Sequence, residues 1–167
     1  MCCCYRGCYN TQLGTHRTCN NGTTLNGTTP INLGVIGTSY AASGIRLKTT
    51  NPHSIVFLNT ARIIADTGSD YIWEIQSNPT ITGGLTYTNM TNSPVQYGIG
   101  SATTIVTAAG DILSSGFGSG KTVEDLKISN LRQLGSSLAG VYDQLVLVLR
   151  PFAVNLKVNS ALGWDEL

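Results

Sequence analysis

Five cysteines, Cys2, Cys3, Cys4, Cys8 and Cys19, fall within the first thirty residues, together with His16, one of only two histidines. Thiolates and imidazoles are soft donors, and four of them can hold zinc tetrahedrally; Cys4, Cys8, His16 and Cys19 are the set with usable spacing. The pattern suits zinc poorly, because three consecutive cysteines do not build two knuckles and Cys4-x3-Cys8 is the only ordinary half site. The same five residues are also candidates for disulfides or an interface. They could pair within the segment or between chains, with an odd thiol left over, or stay reduced in a cytoplasm. Acylation of Cys2, Cys3 or Cys4 has no polybasic or apolar segment to support it.

A second stretch, Gly116-Phe117-Gly118-Ser119-Gly120-Lys121-Thr122, invites comparison with a phosphate-binding loop, whose backbone amides, Lys and Thr cradle phosphate and magnesium. The spacing fails by one residue. Ser115 stands where the first glycine belongs, so the stretch is expected to be a turn between strands. Acid–base or nucleophilic catalysis has equally little to work with. His53 follows Pro52 in an apparent turn, and carboxylate neighbours such as Glu124-Asp125 and Asp165-Glu166 point apart on a strand. No catalytic residue, cofactor or enzyme activity is expected.

The elements that must carry these residues follow from composition and period. Thr, Ser, Asn and Gly number 21, 14, 13 and 19 and make up 40% of the 167 residues, while charged residues are only 11% and the net charge is +1. Such a chain has no basic patch for a phosphate backbone, so nucleic-acid binding is disfavoured. Its 41% apolar content is enough to fill one core, which disfavours disorder. No apolar run is long enough to span a membrane, and the first residues lack the apolar stretch of a secretory signal. The expected site of synthesis is a cytoplasm.

Residues 1–30 read as a Cys-rich arm, and residues 31–167 as one β domain. From Ile31 onward, short apolar runs recur between Gly, Pro, Asn and Ser clusters at the spacing of sandwiches and barrels. Strands are predicted over 31–36, 44–49, 54–65, 70–77, 85–90, 95–99, 103–107, 111–117 and 145–158, the last broken at Pro151. Alternation puts Tyr71, Trp73 and Ile75 on one buried face, and does the same for Val154, Leu156 and Val158. Two runs, Ile55–Leu58 and Leu145–Leu149, are apolar on both faces. A covering neighbour chain or a loop or helix of the same chain would explain them equally. Leu145, Leu147, Leu149 and Trp164 join Tyr71, Trp73 and Ile75 as expected core or subunit-seam residues. A short helix is predicted over 122–133, with Thr122 as cap and Asp125 answering it. Eight or more antiparallel strands imply an all-β, jelly-roll-like antiparallel sandwich carrying an extended N-terminal arm.

From about Ile45 onward the chain resembles small virion structural proteins of tailed bacteriophages, of the capsid-decorating and head-fibre type. The phrases that carry the resemblance are Ile45-Arg46-Leu47-Lys48, Asn78 to Thr88, Asn92-Ser93-Pro94-Val95-Gln96-Tyr97, Gly110 to Gly118, Leu134 to Gly140 and Leu162-Gly163-Trp164-Asp165-Glu166. The resemblance implies a cement protein, often a homotrimer, on the outside of the major capsid shell; a head-fibre or tail-tip module that binds a host receptor or glycan is the alternative. Its partners would be the major capsid protein or another virion protein, with no nucleic acid and no membrane. Within Asn78 to Gly84, Pro79 is expected to end one strand. Gly83-Gly84 would then reverse the chain, pairing Tyr71–Gln76 with Leu85–Met90.

Overall fold

The computed structural model describes residues 15–20, 30–66, 68–120, 123–135 and 142–167. Among them are thirteen strands and no helix: β1 Thr15–Asn20, β2 Ile31–Leu33, β3 Tyr40–Leu47, β4 Val56–Ala65, β5 Tyr71–Ser77, β6 Thr80–Thr82, β7 Thr86–Asn89, β8 Val95–Ile99, β9 Ile105–Ala108, β10 Asp111–Gly118, β11 Val123–Gln133, β12 Gln144–Pro151 and β13 Leu156–Glu166. Every ladder is antiparallel. They form a β-sandwich. One sheet runs β1-β13-β4-β11, with β2 also on β13; the other runs β10-β5-β12-β3-β8-β7, with β9 joined to β3 and β6 to β9. The chain passes from sheet to sheet at β2–β3, β3–β4, β4–β5 and at each step from β10 to β13, which makes the sandwich jelly-roll-like.

The core lies between the sheets. β13 contributes Leu156, Val158, Leu162 and Trp164, and β12 contributes Leu145, Leu147 and Leu149, all buried as their alternation requires. Tyr71 and Ile75 of β5 are also buried, and Trp73 is half-buried against the same cluster. Val154 does not continue the face of Leu156 and Val158. It is exposed in the turn before β13, because Asn155 takes a left-handed φ of 59° there. A polar contact crosses the core, from Ser160 Oγ on β13 to Ser43 Oγ on β3 at 3.3 Å.

The second apolar face of β12 is covered by the same chain. Val146 and Val148 pack with Ala41 in a smaller buried cluster capped by Ile81, Leu85 and Val106. The β6–β9 pair lies over that face, so no neighbour chain is needed to explain it. In Ile55–Leu58 only Val56 and Leu58 are buried, and Ile55 is exposed.

Two further sequence-based expectations are corrected. The segment predicted as a helix over 122–133 is, from Val123, strand β11, paired with β4 from Ile64 to Phe57 with a register shift between Lys127 and Arg132. The unpaired backbone groups along β4 offer partners to a whole strand, and that outweighs a helix preference of a few tenths of a kcal/mol per residue. The predicted pairing of β5 with Leu85–Met90 does not form either. β5 lies between β10 and β12, and β7 pairs β8. Asn78, at φ 55°, turns the chain away: its amide donates to Asp143 Oδ1 at 2.9 Å, and its Oδ1 accepts from Gln144 N at 2.9 Å, fixing the end of β5 to the start of β12. Gly83 and Gly84 do take positive φ, 77° and 82°, but they follow β6, which pairs β9, and lead into β7, which pairs β8.

Candidate functional site

The predicted zinc set is divided by strand geometry. Cys19 and His16 lie three residues apart on β1 and so face opposite sides. Cys19 is a buried free thiol, and burial pushes its pKa up to about 12, which disfavours the thiolate that metal or disulfide chemistry needs. His16 points outward, its Nδ1 2.9 Å from Asp165 Oδ1, while Asp165 Oδ2 accepts from Asn59 Nδ2 at 2.7 Å. This exposed pair orients the ring and joins β1, β13 and β4; ion pairs at such exposure add little stability. Among the described residues, no group of three or more His, Cys, Asp or Glu is placed to hold a metal. Cys2, Cys3, Cys4 and Cys8 lie outside the described residues.

The glycines of the phosphate-loop look-alike have a packing role. Gly116 and Gly118 lie within β10, opposite Trp73 and Tyr71 of β5. A Cβ on Gly116 would fall 2.6 Å from the Trp73 ring, and one on Gly118 2.2 Å from the Tyr71 ring. The two aromatic side chains thus lie across the inner face of the neighbouring strand, covering positions that have no side chain of their own. Only Gly120, at φ 70°, belongs to the expected turn.

Near the end of β13, Glu166 Oε1 accepts hydrogen bonds from Trp164 Nε1 at 2.9 Å and from Ser93 Oγ. Arg17 Nε lies 3.7 Å from Glu166 Oε2, and Arg17 Nη2 donates to Asn92 O at 2.9 Å. This network links β1, within the segment read as the arm, to β13 and to the β7–β8 turn of the opposite sheet.

A different surface gathers exposed apolar side chains. Val35 and Ile36 occupy the turn between β2 and β3, and Gly37 N donates to Pro151 O at 3.0 Å, anchoring that turn to the end of β12. Phe152 and Val154 follow in the β12–β13 turn, whose Asn155 Oδ1 accepts from Asn32 Nδ2 at 3.4 Å. Phe117 of β10 stacks on Phe152, with ring centroids 6.4 Å apart and planes 23° apart. Three chain segments thus bring five large apolar side chains to one end of the sandwich. Their exposures are 59% for Val35, 56% for Ile36, 76% for Phe117, 47% for Phe152 and 59% for Val154. Single exposed apolar residues are ordinary, but a group of this kind marks a contact surface. Its chemistry is exclusion of water, about 1.5–3 kcal/mol for each large side chain fully covered.

No family model and no curated protein matches the chain. Among solved structures it aligns with one titled "Structure of infectious bursal disease virus Gx strain" at 10% identity and a TM-score of 0.14, over 92% of this chain and 39% of that one. A likeness at that score carries no argument about this chain.

Sequence reasoning missed the apolar end. Phe117 and Phe152 fall within strands predicted from the sequence, and alternation alone does not say which face of a strand is left uncovered. The available signal was local: Pro151 and Asn155 bracket Phe152-Ala153-Val154, a short apolar run too confined to be a strand.

Proposed function

We propose that the chain is a non-catalytic structural protein of a tailed-phage virion, a decoration or cement protein that binds the outside of the major capsid shell and stabilises it. The observation that carries this reading is the group Val35, Ile36, Phe117, Phe152 and Val154 at one end of a sandwich of very low charge. The resemblance of its sequence phrases to those of decoration and head-fibre proteins supplies the virion context. On this reading the protein works by adding buried interface on the capsid surface, with the major capsid protein or another virion protein as partner.

The test is rebinding. Purified protein is mixed with shells stripped of it, and bound protein and shell heat resistance are measured. The wild-type chain is expected to rebind and raise the disruption temperature, and the Val35→Asp/Val154→Asp variant to do neither. Wild-type protein that leaves shells bare, or a variant that binds as well, would count against the proposal.

A second reading, a receptor-binding head-fibre or tail module, draws on one feature. An open cleft beside β1 is lined by His16, Arg17, Thr18, Asn89, Thr91 and Tyr97, which sets hydroxyl, amide and guanidinium groups beside an aromatic ring. That combination suits a saccharide. Glycan-array binding lost in Tyr97→Ala would favour it.

A further inference from the structure

We infer that β10 is a self-pairing edge, and that two copies of this chain join antiparallel through it about a two-fold axis at Ser115. The inference does not depend on where the protein docks.

β10 is the terminal strand of the larger sheet and, among the described residues, pairs only with β5. A free edge of eight residues presents a row of unpaired N–H and C=O groups, and most proteins guard such an edge with lysine, proline or a covering loop. Within Asp111–Gly118 there is no lysine and no proline, and the only charge is Asp111 at its start. The one irregularity is a bulge at Leu113, between Ile112, which faces Gln76, and Ser114, which faces Ile75.

That bulge sets which side chains share a face along the edge. Glu74 and Gln76 alternate with the core residues Tyr71 and Ile75, so their partners Ser115 and Ile112 lie on the outer face of the sheet, as does Phe117 opposite Ile72. Ser114, Gly116 and Gly118 lie on the inner face, and Leu113 turns in against the core. Residues directly opposite in a sheet must share a face. With Leu113 kept as the extra residue, an antiparallel pairing of β10 with a second β10 centred on Ser115 satisfies this throughout, and of the registers that do so it is the one that sets Ile112 against Phe117. In it Ser115 faces Ser115 of the other copy, Ser114 faces Gly116, and Ile112 faces Phe117.

The register is self-complementary in chemistry too. Ile112 and Phe117 are 54% and 76% exposed in the single chain, and each would be covered by the other across the joint. Ile112 of the second copy would also extend the Phe117–Phe152 stack into a continuous apolar ledge on each side of the axis. The two Asp111 carboxylates fall at opposite ends of the joint, and a net charge of +1 per chain gives little repulsion. Strand pairing of this length lies at the small end of stable interfaces, so the dimer should form in a concentration-dependent way.

Sedimentation velocity from low to high micromolar protein tests this. The expected result is a mass rising from one chain to two, with Ile112→Lys/Phe117→Lys remaining at one chain while keeping the wild-type β circular dichroism and melting temperature. A second arm places Ser115→Cys, or Thr88→Cys on β7 as control, in a full-length background with Cys2, Cys3, Cys4 and Cys8 changed to Ser. Mild oxidation should link Ser115→Cys chains through residue 115 and leave the control unlinked. A wild-type chain that stays monomeric, a three-chain mass, or equal linking of both cysteine variants would overturn the inference. A monomer that still rebinds shells would sink this inference and leave the proposed function standing.

Discussion

Gly118 lies directly across from Tyr71, and a Cβ on the glycine would sit 2.2 Å from the tyrosine ring. Tyr71 is fully buried, so the ring has nowhere to swing. Together with the Gly116–Trp73 pair, this contact attaches the edge strand β10 to the core through the aromatic side chains of its neighbour.

Gly118→Ala should therefore destabilise the fold by about 1–3 kcal/mol, the usual cost of overpacking. Gly34→Ala is the matched control, since nothing lies within 4 Å of the Cβ it would add. Urea unfolding midpoints for the two variants check this; equal midpoints would refute the role given to the glycine.

Trp164 is the largest fully buried side chain, and its indole N–H donates to Glu166. Trp164→Ala should lose about 3–5 kcal/mol, enough to leave many small domains unfolded. Trp164→Phe keeps much of the volume but leaves Glu166 without one donor, so a smaller loss is expected. Thermal melts followed at constant protein concentration would rank the two.

Alkaline pH should weaken the fold. Burial holds the Cys19 pKa at about 12 against an ordinary value near 9.0, and burial also raises that of Tyr87, partly opposed by Arg46. For each group the unfolded chain releases its proton first, so stability is complete below the ordinary pKa and falls as pH climbs above it. For Cys19 the window runs from about 9 to about 12. Urea midpoints should drop across it, and Cys19→Ala should flatten part of the drop. Cys19 in folded protein should likewise resist alkylation at pH 8 and react once urea is added.

Arg17 joins β1 to Glu166 and to the Asn92 carbonyl. Arg17→Ala should speed hydrogen exchange at Thr15–Asn20 by at least several-fold while amides of β12 and β3 keep their protection. Uniform acceleration across the sandwich would show that β1 is integral to the core instead of fastened to its edge.

The β class of the chain was legible because its signal is local. Tyr71, Trp73 and Ile75 alternate, and so do Leu145, Leu147 and Leu149, and all six face the core as expected. Pairing was not legible. Nothing near Gly83-Gly84 announces that β6 will join β9, because the competing partner lies some twenty residues on. Val123–Gln133 carries a serviceable helix start, yet an unfilled edge on β4, more than sixty residues earlier, makes it a strand. The sites followed the same rule. Residues singled out by chemical type, the cysteines and the glycine-rich stretch, proved to be outside the described residues, buried or used in packing. The exposed apolar end became visible only once two distant turns and the end of β10 were placed side by side.

Strand β13 has β4 along one side, with β1 and β2 sharing the other end to end, so it is the member on which the whole smaller sheet depends. Each of those partners precedes it in the chain. During synthesis β1 and β2 therefore leave the ribosome with no ladder to join, β4 can pair only with β11, and their sheet closes only when β13 has emerged. Folding of this protein should be a late, largely all-at-once event, slow as chains dominated by distant contacts are. Until then its open strands are exposed to neighbouring chains, which makes the interval before β13 appears the period of greatest aggregation risk.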